Sequence, residues 1–247
     1  IKRIERGAAI LETIDTSQKE LDQRFSTDKR NAQWMYDRLF KIYGSPTWRT
    51  PLPAIDELVS TILSQNTNDR NRDMAFERLR QRFPTWEAVC DADIADIITA
   101  IRPAGLGNQK GQRIQAVLRQ IRQEHSVVDL DFLKNWEPEK VRKYLLQFKG
   151  VGFKTAAIVM QFSLGMPAFP VDTHIYRVTG RFGIRPMQMS FDDCHHYMES
   201  LFLPEQYEAG HLNIIRLGRE VCQARKPQCE QCPLQKRCSY FSHRENN

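Results

Sequence analysis

Tyr144-Leu145-Leu146-Gln147-Phe148-Lys149-Gly150-Val151-Gly152-Phe153-Lys154-Thr155-Ala156-Ala157-Ile158-Val159 divides into a helix, a tight Gly-x-Gly turn and a second helix. Glycines at 150 and 152 permit positive φ and close backbone approach, which a turn of this length demands. The second helix then opens with exposed amides and the positive end of its dipole, an anion site for which nucleic-acid phosphate is the obvious occupant. A plainer reading makes Gly150 a helix C-cap and Gly152 a spacer.

Lys154 falls in the first turn of that second helix, where the dipole and the neighbouring Lys149 both disfavour a protonated ammonium and favour a nucleophilic amine. Eighteen residues on, Phe169-Pro170-Val171-Asp172-Thr173-His174-Ile175-Tyr176-Arg177 places Asp172 at the N-cap of another helix after an extended, Pro-containing linker. Capping alone would account for an isolated Asp there.

Outward from this region, helical spacing dominates. Ile94, Ile97, Ile98 and Ile101 recur at i, i+3, i+4 and i+7, as do Ile114, Val117, Leu118 and Ile121, whereas alternating strand patterns are scarce. Breaks fall at Gly44 to Pro53, Arg102 to Gly107, Gly165-Met166-Pro167 and Gly183 to Pro186. The pattern predicts an all-α protein of about ten helices. The polar stretch up to about Asn31 reads as a helix with a mobile lead-in, having few aromatics to anchor it.

Hydrophobic residues make up 41% of the chain and mean hydropathy is -0.54, with no apolar run near the ~20 residues a membrane span needs. No secretory signal is read, and the start at Ile1 rather than Met leaves targeting open. Net charge is +6, but its distribution is more informative. Arg102, Lys110, Arg113, Arg119 and Arg122 stand in a tract without an acid, and from Lys140 to Phe191 Asp172 is the lone carboxylate. Such tracts are either solvated helix faces or surfaces for a polyanion.

Cys222, Cys229, Cys232 and Cys238 crowd into seventeen residues, while Cys90 and Cys194 lie far off and read as small buried residues. Four thiolates on one loop suit a metal site in a reducing compartment. Tetrahedral zinc and a cubane iron-sulfur cluster both remain open on spacing alone. His195 and His196, among Asp192, Asp193 and Glu199, read as surface residues of an amphipathic helix.

The string from Gly150 to Ala156, the gap to Val171-Asp172-Thr173-His174 and the 6-2-5 cysteine spacing together resemble the helix-hairpin-helix DNA glycosylases, most closely their endonuclease III branch. The resemblance covers about residues 50 to 240. It implies that Lys154 and Asp172 are the catalytic pair of a bifunctional glycosylase and AP lyase of base excision repair, working on a nucleotide flipped out of double-stranded DNA. Lys154 would attack the sugar C1' as the damaged base leaves, Asp172 would stabilise the developing positive charge, and the Schiff base would permit β-elimination. Ile62 to Asp69 resembles the segment whose amide fills the gap in the duplex, with either Gln65 or Asn66 as filler. Leu106 resembles the apolar wedge. Lys149, Gly150, Val151, Gly152, His174, Arg177, Arg225 and Lys226 are expected at the DNA, and the four cysteines are expected to hold a [4Fe-4S] cluster.

The architecture so implied is a six-helix barrel domain over 50–166 carrying the hairpin. A discontinuous helical domain of 1–49 and 167–247 would hold the cysteine loop 222–238, with a DNA-binding groove between the two domains. A monomer without a membrane partner is expected, in a prokaryotic cytoplasm with the nucleoid, or in a eukaryotic nucleus or mitochondrion. Lys149 stands where many members have Pro, and Ala157 replaces a polar residue common in the branch. These departures touch substrate preference. Oxidised pyrimidines are the default lesion, with uracil, mismatched thymine and methylated cytosine as alternatives on the same scaffold. A non-catalytic DNA-binding module, with Lys154 on phosphate and Asp172 only a cap, and a zinc-stabilised structural protein are the competing classes.

Overall fold

A computed structural model describes the main chain at residues 2–46 and 50–245, and side chains at 19–46 and 50–244. Twelve α-helices and five short 3-10 turns are present among the described residues, without a strand. In chain order they are α1 (Lys2–Tyr43), α2 (Ala54–Ser64), α3 (Asp69–Arg82), α4 (Trp86–Asp91), α5 (Ile94–Ala100), α6 (Gly107–His125), α7 (Pro138–Leu146), α8 (Phe153–Phe162), α9 (Thr173–Phe182), α10 (Asp193–Leu201), α11 (Tyr207–Glu220) and α12 (Ser239–Glu245). About ten were expected; of the twelve, α4 and α12 span only six and seven residues. Among the described residues no helix is long and apolar enough to cross a membrane.

The chain separates into two compact units, Ile1–Pro46 with Val171–Asn247, and Thr47–Pro170. In the second unit, α2 to α8 surround one core. Ile97 and Ile101 are fully buried, and Ile114, Val117, Leu118 and Ile121 are all at most 2% exposed, so the i, i+3, i+4, i+7 stripes pack inward. Helix starts follow local chemistry. Asn68, Thr85 and Asp93 accept main-chain hydrogens from Asn71, Ala88 and Ala95 at 2.9, 3.2 and 2.8 Å, and Pro138 opens α7.

In the first unit, α1 is a single helix through Tyr43. Its later turns, beyond the polar stretch that ends near Asn31, are well anchored: Ala32, Met35 and Leu39 are buried, and Trp34 stacks on Phe182 with centroids 6.0 Å apart. The expected mobile lead-in and the basic start fall largely on residues 1–18, whose side chains lie outside the described set. Tyr197 on α10 donates from its hydroxyl to the buried Asp28 carboxylate at 2.7 Å.

Burial, and then the Asp28 charge, push the Tyr197 hydroxyl well above its usual range. Tyr144 is raised in the same way by burial and Glu124. A folded-state pKa above the unfolded value of about 10 means that the protonated phenols stabilise the fold below about pH 10, and that this contribution is lost as pH rises further. Thermal melts between about pH 8 and 11 should therefore show Tm falling above about pH 10, with a shallower fall in Tyr197→Phe. An identical fall in the variant would remove Tyr197 from the account.

Candidate functional site

The hairpin lies between α7 and α8. Gly150 has φ +87°, a conformation that favours glycine, and a Cβ there would have to displace the Arg113 side chain packed against it. The amide of Val151 donates to Phe148 O at 3.0 Å, and the Val151 side chain is 5% exposed in the core. Val151 therefore anchors the turn from within; its side chain is not at the surface expected to meet DNA. Lys149 and Gly152 are exposed. Lys154 follows at the second position of α8, half-buried, in the turn where helix amides lack intrahelical partners.

The Asn66 loop and the Leu106 turn belong to the same unit. Gln65 is half-buried and committed, accepting from Arg113 Nη1 and donating to Gly150 O at 3.2 Å. Asn66 is exposed and left-handed, with φ +53°. Leu106 is left-handed too, at φ +50°, and 52% exposed, so it does not tuck into the core. Bulky residues in that region are strained, and such strain persists where a site requires it.

In the other unit Asp172 caps α9, its Oδ1 accepting from Ile175 N at 2.9 Å. The cap fixes the carboxylate and leaves Oδ2 uncommitted among the described residues. Arg177, expected on DNA, donates to Cys222 O, Gly218 O and His174 Nδ1 at 2.9, 2.9 and 3.0 Å. With Nδ1 accepting, a neutral His174 carries its proton on Nε2. His195 departs from the surface reading: it is fully buried, its Nδ1 3.2 Å from Phe191 O, whereas His196 is half-exposed beside Glu199. Its place on the inner face of α10 was visible only as helical register with Met198 and Leu201. Cys90 and Cys194 are buried as expected, and burial pushes the Cys194 thiol up to about 11.

Cys222, Cys229, Cys232 and Cys238 line one pocket of about 300 Å³, counting space continuous with solvent, beside Tyr240 and Phe241. Burial, with the other three thiolates adding, pushes Cys232 up to about 11, and burial also raises Cys238. Four sulfurs so placed suit a group bearing positive charge. The residues fit a cluster that spreads its thiolate ligands over several irons. Arg181 braces the loop, donating to Gln223 O at 2.7 Å and Ala224 O at 3.0 Å, with Cys222 Sγ 3.6 Å away. Arg225 and Lys226 are exposed on the loop, Lys226 at φ +51°.

Residues 59–201 match the model of the HhH-GPD superfamily of base excision DNA repair proteins, and 222–238 match the iron-sulfur binding domain of endonuclease III. The chain is 36% identical over 186 residues to endonuclease III of Sulfolobus acidocaldarius, covering 74% of this chain and 81% of that one. It is 30% identical over 186 residues to the DNA glycosylase/AP lyase ROS1 of Arabidopsis thaliana, covering 67% of this chain and 13% of that longer protein. A solved structure of a trapped endonuclease III–DNA covalent intermediate matches with a TM-score of 0.75 at 26% identity, covering 88% of this chain and 98% of that one. The chain thus belongs to the HhH-GPD superfamily of base excision DNA repair proteins, in its endonuclease III branch. It is a DNA glycosylase of base excision repair, and its cysteine loop carries a four-iron, four-sulfur cluster.

Two outcomes follow from this geometry. Gly150→Ala should lower stability by about 1–3 kcal/mol in chemical denaturation, through strain at positive φ and displacement of the Arg113 side chain; an unchanged midpoint would contradict it. Purified protein should be brown, and Cys229→Ala should lose both the colour and the bound iron.

Proposed function

We propose that the chain is a bifunctional glycosylase and AP lyase that removes damaged pyrimidines, oxidised ones foremost, and nicks the strand through a Lys154 Schiff base. The observation that carries the reading is the position of Lys154, the second residue of a helix that opens directly from the glycine turn. A nucleophile there is held by a rigid element, beside main-chain amides that suit phosphate. The names of two relatives, a DNA glycosylase/AP lyase and a trapped covalent DNA intermediate, agree with it.

In this reading, the neutral Lys154 amine attacks C1' as the C1'–N bond to the base breaks and the base departs with the bonding pair. Asp172 stabilises the positive charge that develops on the sugar, as carboxylates do in other glycosidic cleavages, and receives the proton that Lys154 sheds. Asp172 returns that proton to the sugar O4' as the C1'–O4' bond breaks and opens the ring, leaving an iminium between Lys154 and C1' that acidifies C2'; loss of the C2' proton expels the 3' phosphate and breaks the strand. Hydrolysis of the imine frees Lys154. The cap bond from Ile175 N sets the orientation of the Asp172 carboxylate for this work.

DNA is held and opened by other residues. Lys149, the Gly152 turn, Arg225 and Lys226 supply phosphate contacts, and a neutral His174 offers Nε2–H as a donor. Asn66 fills the gap left by the extruded base, because Gln65 is tied to Arg113 and Gly150. Leu106 wedges the opposite strand apart. The cluster, when bound, fixes the shape of the cysteine loop and takes no part in bond breaking.

Borohydride reduction with abasic-site DNA should give a covalent adduct with wild type and none with Lys154→Ala, while Asp172→Asn should slow base release by about a hundredfold or more. Absence of a wild-type adduct would sink the lyase reading. Duplexes each carrying one damaged or mismatched base, assayed for base release, test the lesion class.

A further inference from the structure

Lys110 is 1% exposed, the largest fully buried side chain among the described residues, and it is a cation. Its Nζ donates to Leu63 O and to Ala104 O, both at 2.8 Å. Leu63 lies three residues before Asn66, at the end of α2; Ala104 lies two before Leu106, at the end of the 3-10 turn Arg102–Ala104. Both carbonyls sit where a helix stops, so neither continues into an i+4 bond. One ammonium therefore satisfies the last turns of both segments whose tips are left-handed.

The same helix makes a second tie one turn on. Arg113 donates to Gln65 Oε1 and lies against Gly150, and Gln65 donates to Gly150 O at 3.2 Å. Gly111 lets α6 sit close on α5, since a Cβ there would lie 3.1 Å from Ile98 Cγ1. Burial, with Arg113 adding, lowers the Lys110 pKa, and the two carbonyl dipoles oppose that loss of charge. An apolar residue would fill the same volume, so packing alone does not call for a lysine here.

We propose that Lys110 is a positioning residue that locks the Asn66 loop to the Leu106 turn, so that filler and wedge enter the duplex as one rigid probe. The inference rests on the reading of Asn66 and Leu106 as the DNA-opening pair. Separate flexible loops would each have to be ordered on binding, whereas a single preorganised unit meets both strands with its strain already absorbed in the fold. Lys110 touches neither DNA nor the reacting atoms in this role. Its effect belongs to extrusion of the base and not to the chemical step.

The test compares two substrates with Lys110→Met under single turnover: a lesion paired within a duplex, which must be extruded, and an abasic site in single-stranded DNA, which need not be. Lys110→Met should lose about tenfold or more on the paired lesion. On the single-stranded abasic site it should stay within about twofold of wild type. Equal losses on both substrates, or no loss on either, overturn the proposal. Should Lys110→Met not fold, the wild-type background carries the test: Asn66→Ala, Leu106→Ala and the double variant are assayed on the paired lesion. A linked probe predicts that the combined loss differs from the product of the single losses by more than about threefold; independent, multiplicative losses overturn it. A wild-type chain inert on both substrates would sink the lyase reading itself, which is a different result from loss of the linkage.

Discussion

Every helix ends in carbonyls that have no amide to meet, and those ends that are buried must find a donor elsewhere. Here long polar side chains supply it repeatedly. Lys110 serves Leu63 and Ala104; Gln115 donates to Val89 O at 3.1 Å and Ala92 O at 2.9 Å; Arg119 donates to Cys90 O at 2.7 Å. In the other unit Arg177 serves Gly218 and Cys222 at the end of α11, while Arg181 and Arg185 brace loops instead, donating to Gln223 O, Ala224 O and Pro186 O. A buried carbonyl without such a partner costs about 1–3 kcal/mol. The loops that follow these helix ends are fixed because their roots are.

This changes the meaning of the two basic tracts. As sequence, Lys110, Arg113, Arg119, Arg177, Arg181 and Arg185 are indistinguishable from cations awaiting phosphate, because an amphipathic helix carries lysine and arginine on either kind of face. In the fold a large share of that charge is turned onto main-chain oxygen. The exposed cations at the expected DNA elements are fewer: Lys149, Arg225 and Lys226. Tract charge alone therefore does not size a polyanion surface.

What was legible depended on whether one residue type had a single physical use. Isoleucine, valine and leucine repeating at helical spacing form one apolar stripe, and such a stripe packs inward, so the α5 and α6 stripes were readable. Asp before a helix accepts the third amide on, so Asp172 was readable as a cap. Four cysteines in seventeen residues have few other uses. Gln65 and Asn66 carry the same amide chemistry one position apart, and only the Arg113 and Gly150 contacts, 48 and 85 residues away in sequence, separate them. His195 misled because acidic neighbours do not decide which face of a helix a side chain takes.

Strain and support are divided between neighbouring residues in a consistent way. Asn66 and Leu106 occupy left-handed geometry at a cost of about 1–3 kcal/mol each, and both are exposed, where packing cannot hold them. The restraint has to come from the chain just before each tip, and that is where Leu63 and Ala104 meet the Lys110 ammonium. Aspartate at the start of α9 follows the same logic on a smaller scale, since its cap bond orients the carboxylate through the helix it begins. In each case the group offered to the solvent is set by a main-chain hydrogen bond within three residues of it. A surface so prepared is stiff at its roots and chemically unsatisfied at its tips, which is the condition an enzyme needs if it is to do its work by opening a duplex that resists being opened.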